Sequence, residues 1–504
     1  MFMMSLNTTV IAPALSIIAT DLHGINSQTW IATSYLVAVN AFQPLAGKFS
    51  DIFGRKPVLM FAISFFFIGC LINALSTSIN MLIAGRVIQG FGGGGVLSLN
   101  YIIVTDIAPI HLRPRFQSML TIIYGLASVV GPLIGGAFVD KVNWHWDFWL
   151  NVIIGGIAFT IILFFLKKPK NVSESTFIEK LKRIDYFGTI FSISLITCIL
   201  LGLNWGPLYG WKDAHSIGSF VGAGVSLILL IIAEGWIAKE PILPGRVLLN
   251  PSVVIVYLDI MCLGFGFIGT LYFGPIYFQS VFGANSTESG VRLIPYMVCL
   301  ILGSAISSSL IAKYPNVKYY MVIGAASNVL GFGLFYTVNE YSSWGQQACF
   351  FMFCGLAFGL TQQNAILIVQ SIVDVKDIAI ATSSNNFFLL FASSIGIAIY
   401  QALYSVFLKA QFTHLTPDVL AQAQQVGALS NYLYIRQLPV EIQAPIIHAY
   451  SIALHNIFIL PIVISGIGLI FTLFFRNVRY GKPSGVKNID EEVTLEKNQT
   501  TVKI

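Results

Sequence analysis

Gly47-Lys48-Phe49-Ser50-Asp51-Ile52-Phe53-Gly54-Arg55-Lys56-Pro57 is a charged, glycine-punctuated turn set between two long apolar stretches. Glycine lets two helix ends come close, and a carboxylate there can face both the nearby cations and the helix ends. The turn is therefore read as a cytoplasmic hairpin joining two membrane helices. The rest of the chain requires the same solvent. Of its 504 residues 56% are hydrophobic and only 10% charged, and the mean hydropathy is +0.78. A water-soluble globule of that composition would lack polar surface, so the bilayer is the solvent.

A spanning helix needs about 20 mainly apolar residues. Windows occur near 1 to 20, 29 to 47, 58 to 76, 81 to 104, 116 to 138 and 146 to 166, then near 187 to 203 and 217 to 236. Six more lie near 252 to 278, 289 to 312, 320 to 337, 346 to 369, 381 to 408 and 451 to 475. The expected fold class is an all-α polytopic membrane protein with about fourteen transmembrane helices. Basic residues support an even count. With the amino terminus inside, the inner loops hold Lys48, Arg55, Lys56, Arg113, Arg115, Lys167, Lys168, Lys170, Lys180, Lys182 and Arg183, and later Lys239, Arg246, Lys313, Lys318 and Lys376. The outer loops hold only Lys141, Lys212, Lys409 and Arg436, as the positive-inside rule requires.

The net charge of +6 follows from that bias and calls for no nucleic acid. Cys70, Cys198, Cys262, Cys299, Cys349 and Cys354 all fall in apolar windows without ligand spacing, so no metal or other cofactor is expected. No cleavable signal peptide is expected, because the apolar start lacks a basic n-region; the chain opens almost inside its first helix, and a cytoplasmic leader is expected to be missing from this sequence. The expected domains are a six-helix bundle over 1–166, a linker with two inserted helices over 167–250, a second six-helix bundle over 251–475 with an outer loop at 409–449, and a polar cytoplasmic tail at 476–504. Asn285-Ser286-Thr287 is placed outside and Asn171-Val172-Ser173 inside.

Four motifs carry a resemblance. The opening turn resembles the G-x-L-x-D-R-x-G-R-K loop of the major facilitator superfamily, with Phe49 and Ile52 in place of leucine and arginine, and the resemblance implies a gating role for Gly47, Asp51, Gly54, Arg55 and Lys56. Leu82 to Gly90 resembles its L-x-x-x-R-x-x-Q-G motif, where the arginine, here Arg86, is tied to proton coupling; the alternative is an arginine snorkelling to the outer surface. Gly131-Pro132-Leu133-Ile134-Gly135-Gly136 looks like the antiporter motif g-x-x-x-G-P-x-x-G-G, with Ala127 for its first glycine; a generic tight helix crossing would explain the glycines but not the Gly-Pro pair. Asn143-Trp144-His145-Trp146-Asp147-Phe148-Trp149-Leu150-Asn151 is read as an aromatic belt at the outer interface and is similar to the W-R-W-x-F-x-x-N of fourteen-helix drug:H+ antiporters, including fungal exporters and vacuolar basic amino acid transporters. The resemblance covers about residues 5 to 480. It implies two six-helix halves, parallel repeats around a central path, with two inserted helices. The second repeat retains only a worn turn, Lys313 to Lys318.

One departure bears on mechanism. The first helix of that branch carries L-D-x-T-I-V, whereas this chain has Leu6-Asn7-Thr8-Thr9-Val10-Ile11, and asparagine cannot titrate. Asp259, read as the only acidic residue deep in an apolar window, is the expected proton carrier; its alternative is a structural partner of a polar neighbour. Asp51 and Asp106 are expected to form gating salt bridges with Arg55 and Arg113. Candidates for solute contact are Asn7, Asn40, Gln43, Tyr124, Tyr272, Gln279, Gln363 and Asn386, beside Gln362, Asn364 and Asn385. The expected activity is exchange of a small organic solute for H+ by a monomer in the lipid bilayer, most simply efflux of drugs or toxic metabolites across the plasma membrane. Uptake of basic amino acids into the vacuole and a non-transporting nutrient sensor are the alternatives. An enzyme is not expected, since no nucleophile, base and orienting group converge.

Overall fold

The computed structural model describes residues 1–474 apart from 12–13, 25–26, 110–111, 167–175, 239–240, 243–244, 312 and 430. Lys167, Lys168, Lys170, the Asn171 sequon, Lys239 and the tail at 476–504 lie outside the described residues. Helices account for nearly all of the rest. The first group is α1 (Phe2–Val10), α2 (Leu15–Asp21), α3 (Gln28–Phe53), α4 (Arg55–Ala74), α5 (Ile79–Ile107), α6 (Arg113–Lys141) and α7 (Trp146–Phe165). A short α8 (Phe177–Lys182) leads to α9 (Tyr186–Tyr209) and α10 (Ala214–Ile232). After α11 (Gly245–Leu248) come α12 (Pro251–Ser280), α13 (Ser286–Val291), α14 (Ile294–Ile311), α15 (Val317–Phe335), α16 (Trp344–Ile372), α17 (Ile378–Phe412), α18 (Pro417–Val426), α19 (Val440–Ile457) and α20 (Ile459–Phe474). Among the described residues eleven helical segments are long and apolar enough to cross a membrane. With α1–α2, α3 and α15 packed among them, the arrangement fits fourteen passes.

The helices begin and end where their residues allow. Gly54, at φ 95, ends α3 and starts α4, a left-handed turn in which any side chain would be strained. Pro57 falls in the first turn of α4, where its missing N–H costs nothing. Asp185, Asp213 and Asn250 accept backbone N–H bonds at the starts of α9, α10 and α12, and Ser343 and Gln346 form a capping box on α16.

Two groups of helices pack against each other. In the first, α5 lies against both α3 and α4, and α6 against α1. Glycine makes the first of these contacts possible: a Cβ on Gly92 would lie 2.3 Å from the Ala62 carbonyl oxygen, and one on Gly94 would lie 2.5 Å from that of Val39. In the second, α12 packs on α17 and α20, and α16 on α14 and α15. The groups meet through α6 against α13 and α14, and through α17 against α3 and α5. The pair α9–α10 rests by α9 on both α3 and α17, with Ile196, Leu200 and Phe387 buried between them. Outward surfaces are apolar, for example Phe164 at 75% exposure and Phe165 at 79%, the pattern of lipid contact.

Beyond α17 the chain folds back over the outer side. Leu408, Ala423, Ile435, Leu438 and Tyr450 form a separate small core there. Arg436 ties it down by donating to the Val281 carbonyl at the end of α12 (3.2 Å).

Candidate functional site

A chamber of about 740 Å³ lies between the two helix groups, with seven helices contributing to its wall. Thr8, Tyr35, Gln43, Tyr101 and Tyr124 line it from one group, and Phe267, Phe358, Gln362 and Asn386 from the other. The lining is aromatic rings, amides and hydroxyls; among the described lining residues no side chain is charged. Gln362 Nε2 donates to Asn386 Oδ1 (3.1 Å), while both polar atoms of Gln43 are buried without a partner. Such amides are ready to hydrogen-bond a solute, because each unmade bond in a dry site carries a desolvation cost.

Toward the inner side the chamber is closed by neutral hydrogen bonds. Gln117 on α6 donates to Gln370 on α16 (3.1 Å), and Gln370 Nε2 lies 2.9 Å from the Thr105 hydroxyl on α5 and 3.0 Å from that of Thr382 on α17. One glutamine thereby joins both helix groups. Toward the outer side a second chamber of about 1320 Å³ opens, lined by Gln28, Tyr272, Gln401, Tyr404, Lys409, Tyr432 and Tyr450 among others. A smaller one of about 300 Å³ lies between them, sharing the lining residue Thr8 with the central chamber and Tyr272 with the outer one. Its wall includes Pro132 and Gly290.

Arg86 stands behind the central chamber. It is fully buried, donates to Ile31 O (3.0 Å), Asn7 Oδ1 (3.1 Å) and Gln89 Oε1 (2.8 Å), and lies 4.3 Å from the centroid of the Tyr35 ring. The snorkelling alternative does not hold, since no part of this side chain reaches the surface. All its hydrogen-bond partners are neutral. Gln89 Nε2 also donates to Asn7 Oδ1 (2.8 Å), so Asn7 holds the arginine and does not itself line the chamber.

The expected solute contacts divide. Gln43, Tyr124 and Asn386 line the central chamber, and Tyr272 the outer and intermediate ones. Asn40 instead joins the helix groups, donating to Ser394 Oγ (2.8 Å). Gln363 exchanges hydrogen bonds with Ser304, and Gln279 donates to Ser289 (2.9 Å), so both act between helices. Asp259 is buried on α12 at the α20 contact, two turns away from the Phe267 that lines the chamber; a Cβ on Gly468 would lie 3.3 Å from its Oδ1.

Asp147 is also fully buried, with no hydrogen-bond partner for either carboxylate oxygen, so Asp259 is not alone among deeply buried acids. Reading 143–151 as an interfacial aromatic belt hid it. Tyr35, Tyr101, Phe267 and Phe358 also escaped the sequence reading. For Tyr35 a signal existed: Tyr35, Leu36, Val39 and Gln43 share one face of α3 at helical spacing.

The motif glycines have two duties. Cβ atoms on Gly131 and Gly135 would lie 2.1 Å from Thr9 Oγ1 and 2.3 Å from the Val10 carbonyl oxygen, which fixes α6 against α1. Pro132 and Gly136 face the other way. A Cβ on Gly136 would lie 2.9 Å from the Thr287 backbone, and one on Gly290 2.6 Å from Pro132 Cβ, so this face meets the second helix group.

At the inner surface Arg55 bonds Asp51 and, at 2.7 Å, Asp106, tying the ends of α3, α4 and α5. Gly47 closes against α17, where a Cβ would lie 2.6 Å from Ser383 Oγ. Arg113 donates to the Ala108 carbonyl (3.4 Å) and, among the described residues, to no carboxylate, so the expected pairing for it is replaced by a local backbone contact. Lys56 donates to the Leu163 carbonyl at the end of α7 (2.8 Å), and Lys318 of the worn turn does the same to Leu473 at the end of α20 (2.8 Å). Each lysine satisfies a helix C-terminus. Arg55→Ala is expected to speed amide hydrogen exchange in residues 47–57 and 104–108 by about tenfold, equivalent to about 1.4 kcal/mol; unchanged exchange would mean that the cluster ties nothing.

The fold and the chambers define a multi-pass membrane protein built to pass a small solute between two groups of helices. The family described as Major Facilitator Superfamily matches residues 1–397, and the chain belongs to it. It is an integral membrane transporter and not an enzyme. Similar chains include an uncharacterized MFS-type transporter, Rv1877, of Mycobacterium tuberculosis (31% identity; 93% of this chain, 67% of that one). The efflux pump dotC of Dothistroma septosporum (33%; 81% and 70%) and the efflux pump roqT of Penicillium rubens (30%; 96% and 89%) are similar too. Among solved structures, the proton:xylose symporter XylE has a TM-score of 0.57 at 15% identity, covering 96% of this chain and 95% of its own. That likeness extends the fold assignment and nothing further.

Proposed function

We propose that this transporter exports small organic solutes in exchange for H+, with 1–166 and 251–475 as the two six-pass halves, 167–250 as the inserted pair and 476–504 as a tail. The observation that carries the reading is a chamber lined by rings and amides between the helix groups, latched on its inner side and adjoining an outer one. Relatives named efflux pumps support the direction, and nothing in the comparisons favours a vacuolar amino acid importer or a sensor. Both helix groups of one chain supply the chamber wall, which supports a monomeric working unit.

Export proceeds by alternating access. Solute enters from the inner side when the Gln117–Gln370–Thr105 bonds part, meets the amides and rings of the chamber, and leaves outward as the inner latch reforms. Arg86 supplies the fixed charge of the coupling machinery and Asp259 is the carboxylate assigned to carry the proton, with Asp147 as the comparison residue.

The test is purified protein in liposomes with an acidic lumen, given a panel of fluorescent aromatic solutes beside lysine, arginine and histidine. Gradient-dependent movement of the aromatic solutes without amino acid uptake is expected. Asp259→Asn is expected to lose at least about 90% of gradient-driven movement, one order of magnitude, and to keep solute-for-solute exchange. Normal gradient-driven transport by that variant removes Asp259 from the mechanism. Amino acid uptake alone would overturn the export reading.

A further inference from the structure

The charges along the solute path are of one sign. The central, intermediate and outer chambers lie in a row, neighbours sharing Thr8 and Tyr272, and mark the track of the solute. Among the described lining residues the track contains one charged side chain, Lys409 in the outer chamber. Directly behind the wall lies a second cation, Arg86, fully buried and hydrogen-bonded to amides and a carbonyl, with no carboxylate among those partners. A guanidinium in that setting is satisfied in hydrogen bonds but not in charge, and an isolated buried charge is costly unless a counter-charge comes.

The atoms in front of it point the same way. Tyr35 lies over the guanidinium and also lines the chamber. Its hydroxyl is buried beside Asn7 and Thr8, and Asn7 Oδ1 is engaged by both Arg86 and Gln89. A hydroxyl on the chamber wall therefore stands beside a buried positive charge. The remaining wall is aromatic, with Tyr101, Tyr124, Phe267 and Phe358 around the chamber and Tyr404, Tyr432 and Tyr450 along the way out. Rings of this kind hold flat apolar bodies.

We propose that the transported solute is an aromatic organic acid whose anionic oxygen is received by Tyr35 Oη in the field of Arg86 and then passes Lys409 on its way out. This rests on the transport reading above and names its substrate class. Binding supplies the counter-charge that the protein itself withholds. A permanently cationic solute meets the opposite balance: it would bring a second positive charge beside Arg86, with no carboxylate among the described residues of the track to face it.

Three probes of equal ring size test the idea in detergent-solubilised full-length protein: 1-naphthoate, uncharged 1-naphthamide and (1-naphthylmethyl)trimethylammonium. Naphthoate is expected to bind at least about tenfold more tightly than either other probe, as a charge-assisted hydrogen bond requires. Asn7→Asp places a carboxylate against Arg86 and is expected to erase the naphthoate preference while leaving naphthamide binding within about twofold. Asn7→Ala keeps the charge and should retain most of the preference. Should Asn7→Asp not fold, Lys409→Ala provides the second arm: slower naphthoate movement in vesicles by about threefold or more, with naphthamide unaffected, since a charge at the mouth of a path acts on the approach of an anion. Equal affinity for the three probes, tighter binding of the cation, or an Asn7→Asp protein that still prefers naphthoate would overturn the proposal. Absence of binding by all three would overturn it as well. In each case the transport reading stands or falls separately, on the gradient assay with the wider panel.

Discussion

Arg86→Met is expected to fold and express like the parent chain, to melt at an equal or higher temperature, and to lose transport by about 10- to 100-fold. The expectation runs against the usual rule that deleting a buried polar group destabilises. Each acceptor that Arg86 serves has another donor: Asn7 Oδ1 keeps Gln89 Nε2 at 2.8 Å, Gln89 Oε1 keeps Asn73 Nδ2 at 3.0 Å, and the Ile31 carbonyl lies within α3, where the helix ladder supplies its own N–H. Nothing is therefore stranded when the guanidinium leaves. Arginine in the middle of a membrane helix costs roughly 2.5 to 3.5 kcal/mol on insertion scales, and methionine of similar length removes that cost while filling the space. A charge that the structure does not need for its own stability is retained for what it does to solute or proton. Thermal melting of the purified variant beside vesicle transport separates the cases; a large fall in melting temperature with transport intact would make Arg86 a structural residue.

The second large effect is expected at Gly136. Valine there would drive its side chain into the Thr287 backbone, 2.9 Å from the position of Cβ alone. That contact, with the hydrogen bond from Thr287 Oγ1 to Asp140 (2.9 Å), joins α6 to α13 on the outer side. Gly136→Val should wedge the two helix groups apart there, abolish turnover, and raise thiol labelling of a Ser405→Cys reporter in the outer chamber by about tenfold or more, a shift equivalent to about 1.4 kcal/mol between conformers. Gly135→Val one residue earlier meets the Val10 carbonyl within the same helix group, at 2.3 Å, and should instead lower expression through overpacking. If both variants simply fail to accumulate, the division of this motif between packing and gating is lost.

Much of the fold was legible because bilayer physics leaves few choices. Apolar windows of the right length must be helices, and lysine and arginine mark the inner side. The turn at Gly47 to Pro57 and the Gly-Pro run in α6 were readable because their backbones demand glycine. The site was legible only in part. Gln43, Tyr124 and Asn386 reach the chamber, whereas Asn40, Gln363 and Gln279, equally polar and equally central, join helices to one another. Sequence gives the depth of a residue in a span but not the rotation of that span, and the contrast between a polar and an apolar side is no guide where a helix is apolar all round. Asp147 was lost for another reason: its neighbours Trp144, Trp146 and Trp149 suggested an interface, while the helix turned its carboxylate inward.

The inner latch is neutral, and this sets how the molecule moves. Each amide-to-amide or amide-to-hydroxyl bond at Gln370 contributes only about 0.5 to 1.5 kcal/mol net, and a partner lost on one side can be replaced by water entering the parting cleft. Two of these bonds, Gln117 to Gln370 and Gln370 to Thr105, cross between the helix groups, while the third joins α16 to α17 within one group, so the inner latch by itself is a shallow hold that thermal fluctuation can open. A solute need only prefer one arrangement by a few kcal/mol to redirect the population. The molecule is therefore a near-balanced rocker, whose resting pose is decided less by its own contacts than by what happens to occupy it.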